Sequence, residues 1–221
     1  MIKDISVVLL GAGKSKRFDT NTLKQNVKIH DKRVIDYSVD FFRKHFNASK
    51  KYFVINKKIQ LKTLTENEHI LYGSTSRLKS LNNCLNYISR NNLQTKYLLV
   101  HDVARPVLNL ADIKKIIREI HKKVDGSTLG YPLTNAVKEV KNNTIYYNIH
   151  KSNLWSTFTP QIFKMEKLYQ SVKSCLDEKY DVDDDIEALL LNSLKCSMIM
   201  SSPTNIKVTY KSDINYIKKL L

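Results

Sequence analysis

Apolar residues along the chain fall into two patterns, short continuous runs and segments in which they recur every three or four positions. Four runs have the length of buried strands: Asp4–Leu10, Lys51–Ile55, His69–Tyr72 and Lys96–Asp102. Three segments have helical spacing: Val34–Phe46, Ser74–Ile88 and Leu110–Val124. This strand–helix alternation predicts a three-layer α/β fold with a mostly parallel, twisted sheet and helices on both faces.

The pattern changes in the second half of the chain. Ala136–His150 contains two β-rich runs around Asn142–Asn143, which predicts a hairpin. Its alternation is loose, so we expect an arm that projects from the body and buries its aromatic residues in a partner subunit. The rest predicts two helices, two strands and a closing helix, in the order Met165–Leu176, Asp181–Leu194, Ser197–Ser202, Ile206–Tyr210 and Lys211–Leu221. The acidic start of the second helix, Asp181–Asp185, would complement the helix dipole.

Length and composition limit the class of protein. The 221 residues suit one domain, 1–221, that includes the arm. No apolar run approaches the length of a membrane span, which predicts a protein without membrane association. Glycines and lysines follow the first apolar run where a signal peptide would have a cleavage site, so we expect a cytoplasmic protein. Cys84, Cys175 and Cys196 lie far apart, which predicts reduced thiols rather than zinc ligands or disulfides.

The formal net charge of +16 leaves two interpretations open. A nucleic-acid-binding protein is one of them, and RNA binding without nucleotide turnover would support it. However, the lysines are scattered along the chain, and no nucleic-acid-binding motif is present. We therefore expect a generally basic surface that attracts phosphorylated small molecules and has no nucleic-acid partner.

The stretch VVLLGAGKSKRF, Val7–Phe18, differs from both familiar phosphate loops. A Walker A loop would need glycine where Val8 stands, and the dinucleotide fingerprint would need glycine at Lys16. The small residues Gly11–Gly13 allow a flat ligand to lie against the backbone. Several cations follow within about a dozen positions. This pattern favours a base and ribose beside a triphosphate, although a tight turn with solvated lysines remains the alternative.

Two further stretches follow predicted strands. In VHDVARP, Asp102 ends the most apolar strand, where a single carboxylate beside phosphates is a usual Mg²⁺ ligand. Arg105 could hold a phosphate, or it could form an ion pair with Asp102 at the strand end. In GSTSR, Gly73–Arg77, a helix begins, and its free N–H groups favour an anion or a nucleobase edge. A plain cap by Ser74 or Thr75 is the alternative. Taken alone, Lys207 is a solvent-facing strand lysine and Thr159–Pro160 is a turn.

The order and spacing of these stretches resemble the 2-C-methyl-D-erythritol 4-phosphate cytidylyltransferases, which have the Rossmann-like sugar-nucleotidyltransferase fold. The resemblance rests on LLGAGKSKRF, LKQ, GSTSRLKSL, LLVHDVARP, LWSTFTPQIF and NIKVT, which lie between residues 9 and 209. Ribitol-5-phosphate cytidylyltransferase, a close relative, shares most of them. The resemblance implies that CTP and a polyol phosphate give a CDP-alcohol and pyrophosphate with Mg²⁺, and that the arm, residues 136–150, interlocks a homodimer.

The resemblance also implies a role for individual residues. Arg17, Lys24 and Lys207 would be catalytic. Asp102 would hold Mg²⁺ and contact both substrates. The implied nucleotide-binding residues are Leu10, Gly11, Ala12, Gly13, Gly73, Ser74, Ser80, Asp102 and Val103. The implied acceptor-binding residues are Asp102, Arg105, Ala136, Lys151 and Thr159. The chemistry needs cations and a metal rather than an activating base, so His101 is expected to be a hydrogen-bonded residue at the strand end.

Three positions depart from the family pattern. Leu23 replaces the proline before the catalytic lysine, Asn135–Ala136 replaces an Asp-Thr pair, and Lys151 replaces an arginine. Ala136 lacks the hydroxyl that would hold the acceptor phosphate, and Lys151 lacks the guanidinium fork. We therefore expect a methylerythritol-phosphate cytidylyltransferase. Ribitol 5-phosphate or another polyol phosphate stays open as the acceptor.

Overall fold

A computed structural model describes residues 4–19 and 21–221. Its strands are β1 (Ile5–Gly11), β2 (Lys28–Ile29), β3 (Lys32–Arg33), β4 (Lys51–Ile55), β5 (Glu68–Tyr72), β6 (Tyr97–Asp102), β7 (Gly126–Pro132), β8 (Val137–Lys141), β9 (Thr144–Ile149), β10 (Trp155–Lys164) and β11 (Cys196–Met200). Its α-helices are α1 (Val34–His45), α2 (Arg77–Arg90), α3 (Leu110–Ile120), α4 (Met165–Asp177), α5 (Asp185–Leu191) and α6 (Asp213–Lys218). A single 3₁₀ turn, Lys24–Asn26, also lies in this part of the chain.

The main sheet has the strand order β11-β7-β10-β6-β1-β4-β5 in the described residues. Strand β1 pairs in parallel with β4 and β6, β5 extends the sheet beyond β4, and β11 pairs in parallel with β7. Strand β10 runs antiparallel to both of its neighbours, β6 and β7. The prediction of a mostly parallel α/β sheet is confirmed.

Two apolar cores cover the two faces of this sheet. In β1, Val7 and Leu9 pack with α1 and α3 on one face, whereas Val8 and Leu10 pack with α2, α4 and α5 on the other. Successive side chains of a strand point to opposite faces, so a fully buried strand must be apolar at every position. The predicted three layers are therefore present, and the loops after β1 and β6 meet at one edge of the sheet.

Several predicted boundaries were wrong. No element was predicted for Gly126–Pro132, which is strand β7. Thr159–Pro160, taken alone, indicated a turn, but it lies within strand β10 at the register shift between Phe158 and Gln161. The predicted strand Ile206–Tyr210 is an irregular segment outside the sheet, where the Val208 N–H donates to the Ala104 carbonyl. Helix α2 is capped by Ser76, rather than by Ser74 or Thr75.

Strands β8 and β9 form the predicted hairpin arm and pair with each other. Asn142 and Asn143 both have positive φ, as a tight hairpin turn requires. Ile145, Tyr146 and Tyr147 are exposed in the single chain. Every helix within residues 4–19 and 21–221 is too short or too polar to cross a bilayer.

Candidate active site

A cavity of about 280 Å³ opens at the carboxyl ends of β1 and β6. Its walls are the loop after β1, the start of α2, the end of β6 and the irregular segment after β11. Of the predicted site residues, those that line it are Leu10, Ala12, Gly13, Arg17, Lys24, Ser74, Ser80, Asp102 and Lys207. This edge is where open α/β sheets bind ligands, because the loops that follow neighbouring strands diverge there.

The buried side chain of Gln25 fixes the glycine-rich loop. Its Nε2 donates to the carbonyl oxygens of Gly11 and Gly13 at 2.9 and 3.0 Å, and its Oε1 accepts from the Ser15 hydroxyl at 3.2 Å. The Ser15 hydroxyl oxygen accepts from the Lys24 N–H at 3.0 Å. The loop and the Lys24 segment are thus held together. Gln25 belongs to the stretch LKQ, but its role could not be predicted from the sequence pattern.

Gly11, Gly73 and Val103 shape the cavity without lining it. A Cβ on Gly73 would lie 2.0 Å from the Cβ of Ala12, and a Cβ on Gly11 would lie 3.0 Å from the Val103 side chain. Val103 is fully buried in the core on the α1 side of the sheet. Its side chain fills the space beside Gly11 and does not line the cavity, and its predicted role in nucleotide binding stays a prediction.

Lys24 lies in an unusually cationic environment. Its Nζ donates to the Val208 carbonyl at 2.6 Å. Burial and the nearby ammonium of Lys207 lower the pKa of Lys24 to about 8, and Arg17 acts in the same direction. An anion between these cations would remove the repulsion, so the arrangement suits a polyphosphate.

Asp102 carries two cationic partners. The Nε of Arg77 donates to its Oδ1 at 3.1 Å, and the Nζ of Lys207 donates to its Oδ2 at 2.7 Å. Burial alone would raise the pKa of Asp102, but these cations outweigh burial and hold it far below the ordinary value. Asp102 is thus a carboxylate at any physiological pH. The alternative of an Asp102–Arg105 pair is not what the structure contains, because Arg77 and Lys207 take that place.

Arg77 and Asp185 form a buried ion pair that the sequence analysis did not find. Both terminal nitrogens of Arg77 donate to the Asp185 carboxylate, at 2.6 and 2.9 Å, and Asp185 is fully buried. The acidic stretch therefore does more than complement a dipole. Asp184 caps α5 by accepting from the Glu187 N–H, while Asp185 neutralises Arg77. The 108 positions between the two residues explain why no local pattern indicated the pair.

A second, smaller cavity of about 160 Å³ adjoins the first. The two share Arg77, Asp102 and Lys207, and Arg105 and Thr159 line only the second. Arg105 donates to the Asn205 carbonyl at 2.7 Å, and its guanidinium lies 5.6 Å from the centre of the Phe158 ring.

The hydroxyl of Thr159 is engaged within the protein. It accepts from the Asp102 N–H at 3.0 Å and lies 3.2 Å from the Nδ1 of His101. The Arg105 carbonyl, 3.1 Å from Nε2, can only accept, so Nε2 carries the ring proton and Nδ1 accepts from Thr159. Burial lowers the pKa of His101 to about 3, which keeps the ring neutral. Thr159 thus positions the backbone of Asp102 and also lines the smaller cavity, and its predicted role at the acceptor stays a prediction.

Ala136 and Lys151 lie at the base of the arm, outside both cavities of the single chain. The ammonium of Lys151 donates to the carbonyl of Thr134. The structure therefore does not bring these two predicted acceptor-binding residues together with Asp102 within one chain.

The residues at the cavity edge fit Mg²⁺ in donor type. Mg²⁺ commonly takes one or two carboxylate oxygens and completes its shell with water and substrate phosphate oxygens. Asp102 supplies an ionised carboxylate at the wall shared by both cavities. The described residues contain no group of three or more potential metal ligands, so the phosphates of a substrate would have to contribute.

Comparison with known proteins gives the same family over nearly the whole chain. The family model described as 2-C-methyl-D-erythritol 4-phosphate cytidylyltransferase (IspD) matches residues 5–221. The chain belongs to this family. A 2-C-methyl-D-erythritol 4-phosphate cytidylyltransferase of Wigglesworthia glossinidia brevipalpis is 29% identical over 96% of this chain and 93% of its own length. The enzyme of that name from Haemophilus influenzae is 28% identical over 97% of this chain and 95% of its own length.

Solved structures of IspD proteins share the fold. The Francisella tularensis structure superposes with a TM-score of 0.87 at 22% identity, covering 99% of this chain and all of the other. The Thermus thermophilus structure superposes with a TM-score of 0.81 at 16% identity, covering 98% of each chain. The predicted nucleotidyltransferase fold is confirmed.

Proposed function

We propose that this chain transfers the cytidylyl group of CTP to the phosphate of 2-C-methyl-D-erythritol 4-phosphate and releases pyrophosphate. Family membership over residues 5–221 supports the substrates. The observation that carries the proposal is the junction of the two cavities, where Asp102, Lys207 and Arg77 are shared. A transfer between two phosphate-bearing substrates needs such a junction, because the reacting atoms must meet there.

The larger cavity is assigned to CTP. Ala12 and Gly13, in the loop that Gln25 holds, form one wall, and Ser74 and Ser80 at the start of α2 form another. The Ser80 hydroxyl accepts from the Ser74 N–H at 2.9 Å, which fixes that wall. Base and ribose would lie along these groups. The triphosphate would reach the cations of Arg17 and Lys24 at the other end.

The smaller cavity is assigned to the acceptor. Arg105 and Lys207 supply positive charge beside Asp102, which suits a polyol phosphate. Lys151 and the Ala136 region would join the site from a second copy through the arm. The exposed Ile145, Tyr146 and Tyr147 support a homodimer, since apolar side chains exposed on a projecting hairpin are typical of interfaces.

The reaction balances without a general base. An acceptor phosphate oxygen attacks the α-phosphorus of CTP, and the bond from that phosphorus to the α,β-bridging oxygen breaks. The pyrophosphate carries away the electron pair, and no proton has to move. Arg17, Lys24 and Lys207 would stabilise the negative charge that builds up on the α-phosphate and the leaving group. The neutral, buried His101 takes no part.

Asp102 would hold Mg²⁺ together with substrate phosphate oxygens, and the ion would supply additional charge stabilisation at the phosphates. We place the enzyme in the cytoplasm, where CTP is available. Its three cysteines are free thiols, of which Cys84 and Cys175 are buried, and this agrees with a reducing compartment.

Pyrophosphate release tests the function directly. The protein is incubated with CTP and Mg²⁺ and offered methylerythritol 4-phosphate or ribitol 5-phosphate in separate reactions. We expect turnover with the first and much less with the second, because the family match specifies the first acceptor. Preference for ribitol 5-phosphate would reassign the acceptor, and the replacements at Asn135–Ala136 and Lys151 would be the reason. Tight binding of labelled RNA without CTP turnover would reject the enzyme.

A further inference from the structure

Asp185 and Arg77 both lie next to the proposed reaction centre, but they differ in their access to a substrate. Arg77 lines both cavities, whereas Asp185 is fully buried and lines neither. Asp185 cannot touch a substrate in this arrangement. It nevertheless receives two hydrogen bonds from a guanidinium whose third nitrogen reaches Asp102.

The geometry of the guanidinium makes this connection rigid. An arginine fork held by two parallel hydrogen bonds on a carboxylate has its plane fixed by that carboxylate. With the plane fixed by Asp185, the Nε–H of Arg77 has one direction left, and Asp102 lies there at 3.1 Å. Asp102 in turn accepts from Lys207 at 2.7 Å. Four charges, two positive and two negative, thus form one chain from the start of α5 to the cavity junction.

We propose that Asp185 and Arg77 are positioning residues for the cytidylyl transfer: Asp185 orients Arg77, and Arg77 orients Asp102 and, through it, the ammonium of Lys207. This proposal rests on the proposed function. It predicts that Asp185, which no substrate contacts, affects turnover through Lys207.

The chain contains a matched control pair. Arg43 donates to the buried Glu68 through Nε at 2.8 Å and Nη2 at 2.7 Å, and both residues lie outside the two cavities. Arg43–Glu68 is therefore also a two-bond arginine–carboxylate pair, formed through Nε and Nη2 rather than through the two terminal nitrogens, and no hydrogen bond among the described residues connects it to Asp102. Loss of either pair should destabilise the fold, and only loss of Asp185–Arg77 should change turnover at an occupied site.

The experiment compares D185N with E68Q, using CTP, Mg²⁺ and methylerythritol 4-phosphate, with active sites counted by CTP-binding stoichiometry and melting followed in parallel. We expect D185N to lower kcat about 10- to 100-fold, the loss typical of small misplacements. The Kd for CTP should stay close to that of the wild type. E68Q should melt earlier and keep its kcat. Equal kcat in D185N and the wild type would overturn the proposal.

A double-mutant cycle separates positioning from independent damage. If Asp185 acts through Lys207, D185N should cost little further activity in a K207M background, whereas additive losses would overturn the proposal. Should D185N fail to fold, R77K against R43K replaces it, because lysine keeps the charge and loses the fork. An inactive wild type would reject the proposed function and this proposal with it, while an active wild type with an unaffected D185N would reject the positioning role alone.

Discussion

The two cavities differ in how completely one chain builds them. The nucleotide side is held by short-range bonds: Gln25 binds the glycine-rich loop, and Ser80 binds the backbone of Ser74. None of the buried polar atoms among its described lining residues lacks a partner. Among the described residues that line the acceptor side, two buried polar atoms lack a partner, Arg105 Nε and Gln161 Oε1.

This difference shows where further groups are needed. Buried polar groups are nearly always hydrogen-bonded, so unpaired atoms mark a place where a ligand, water or another chain belongs. Ala136 and Lys151, which the family resemblance assigned to the acceptor, lie outside this region in the single chain. The polar groups of the nucleotide side are thus satisfied within one chain, whereas those of the acceptor side leave room for a further partner, which agrees with the homodimer proposed above.

The largest effect is expected at Lys24, at the phosphate end of the nucleotide side. Lys24→Met removes a cation next to the reacting phosphate, and we expect kcat to fall about 10²-fold or more. Pyrophosphate release measures it. The exposed Lys58→Met serves as the control, since it changes net charge equally and should leave kcat unaltered. Equal losses in both variants would show that the effect is long-range attraction rather than local stabilisation.

The next largest effect is expected from Gln25→Glu, which is nearly isosteric. It places a carboxylate oxygen where Nε2 now donates to the Gly11 and Gly13 carbonyls. Loss of these buried bonds should cost about 1–3 kcal/mol of stability and raise the KM for CTP. Chemical denaturation and steady-state kinetics measure the two effects. An unchanged KM for CTP would mean that the loop does not hold the nucleotide.

The pH dependence provides a third test of the nucleotide side. Lys24 is charged below its pKa of about 8 and neutral above it, so kcat/KM for CTP should fall as pH rises through 8. The slope should approach about tenfold per pH unit, since one proton is lost. Arg stays protonated throughout this range, so Lys24→Arg should move the falling limb to higher pH. A limb that stays in place would assign it to another group.

Gly73→Ala should have a smaller effect, on the shape of the nucleotide side. The added Cβ would lie 2.0 Å from the Cβ of Ala12, so one of the two backbone segments must shift. We expect a lower melting temperature and a several-fold higher KM for CTP, because overpacking displaces the loop by a fraction of an ångström. In Gly13→Ala the nearest atom is 3.8 Å away, and the melting temperature should hardly change.

The smallest effect is expected at Lys151, and it tests the acceptor side alone. Lys151→Ala should remove an exposed ion pair to the acceptor, which contributes roughly 0.2–1 kcal/mol of binding free energy. The KM for the acceptor should rise by the corresponding factor, and the KM for CTP should stay unchanged. Lys151→Arg should instead lower the KM for the acceptor, because arginine provides a guanidinium fork for phosphate. A shift in the KM for CTP instead would place Lys151 at the nucleotide and contradict the division between the two sides.

Local sequence patterns were sufficient for the elements that carry the nucleotide side. The apolar run that becomes β1 follows from strand burial, and the small residues after it follow from backbone access. Helix α2 was also predicted, although it begins at Arg77 rather than at Ser74. The hairpin turn at Asn142–Asn143 was also predicted from the local sequence. Strand β10 was missed because Pro160 reads as a turn, although the strand accommodates it at a register shift.

The amino-acid sequence by itself thus determined the α/β architecture, the cationic loop and the carboxylate at the end of β6. Only the tertiary structure decided which side chains those groups meet: Asp102 with Lys207 across 105 positions, and Arg77 with Asp185 across 108. It also turned Thr159 toward His101 and buried Val103 in the core. The physical reason is that local periodicity fixes which face of an element is apolar, whereas ion pairs between distant segments depend on how those elements pack.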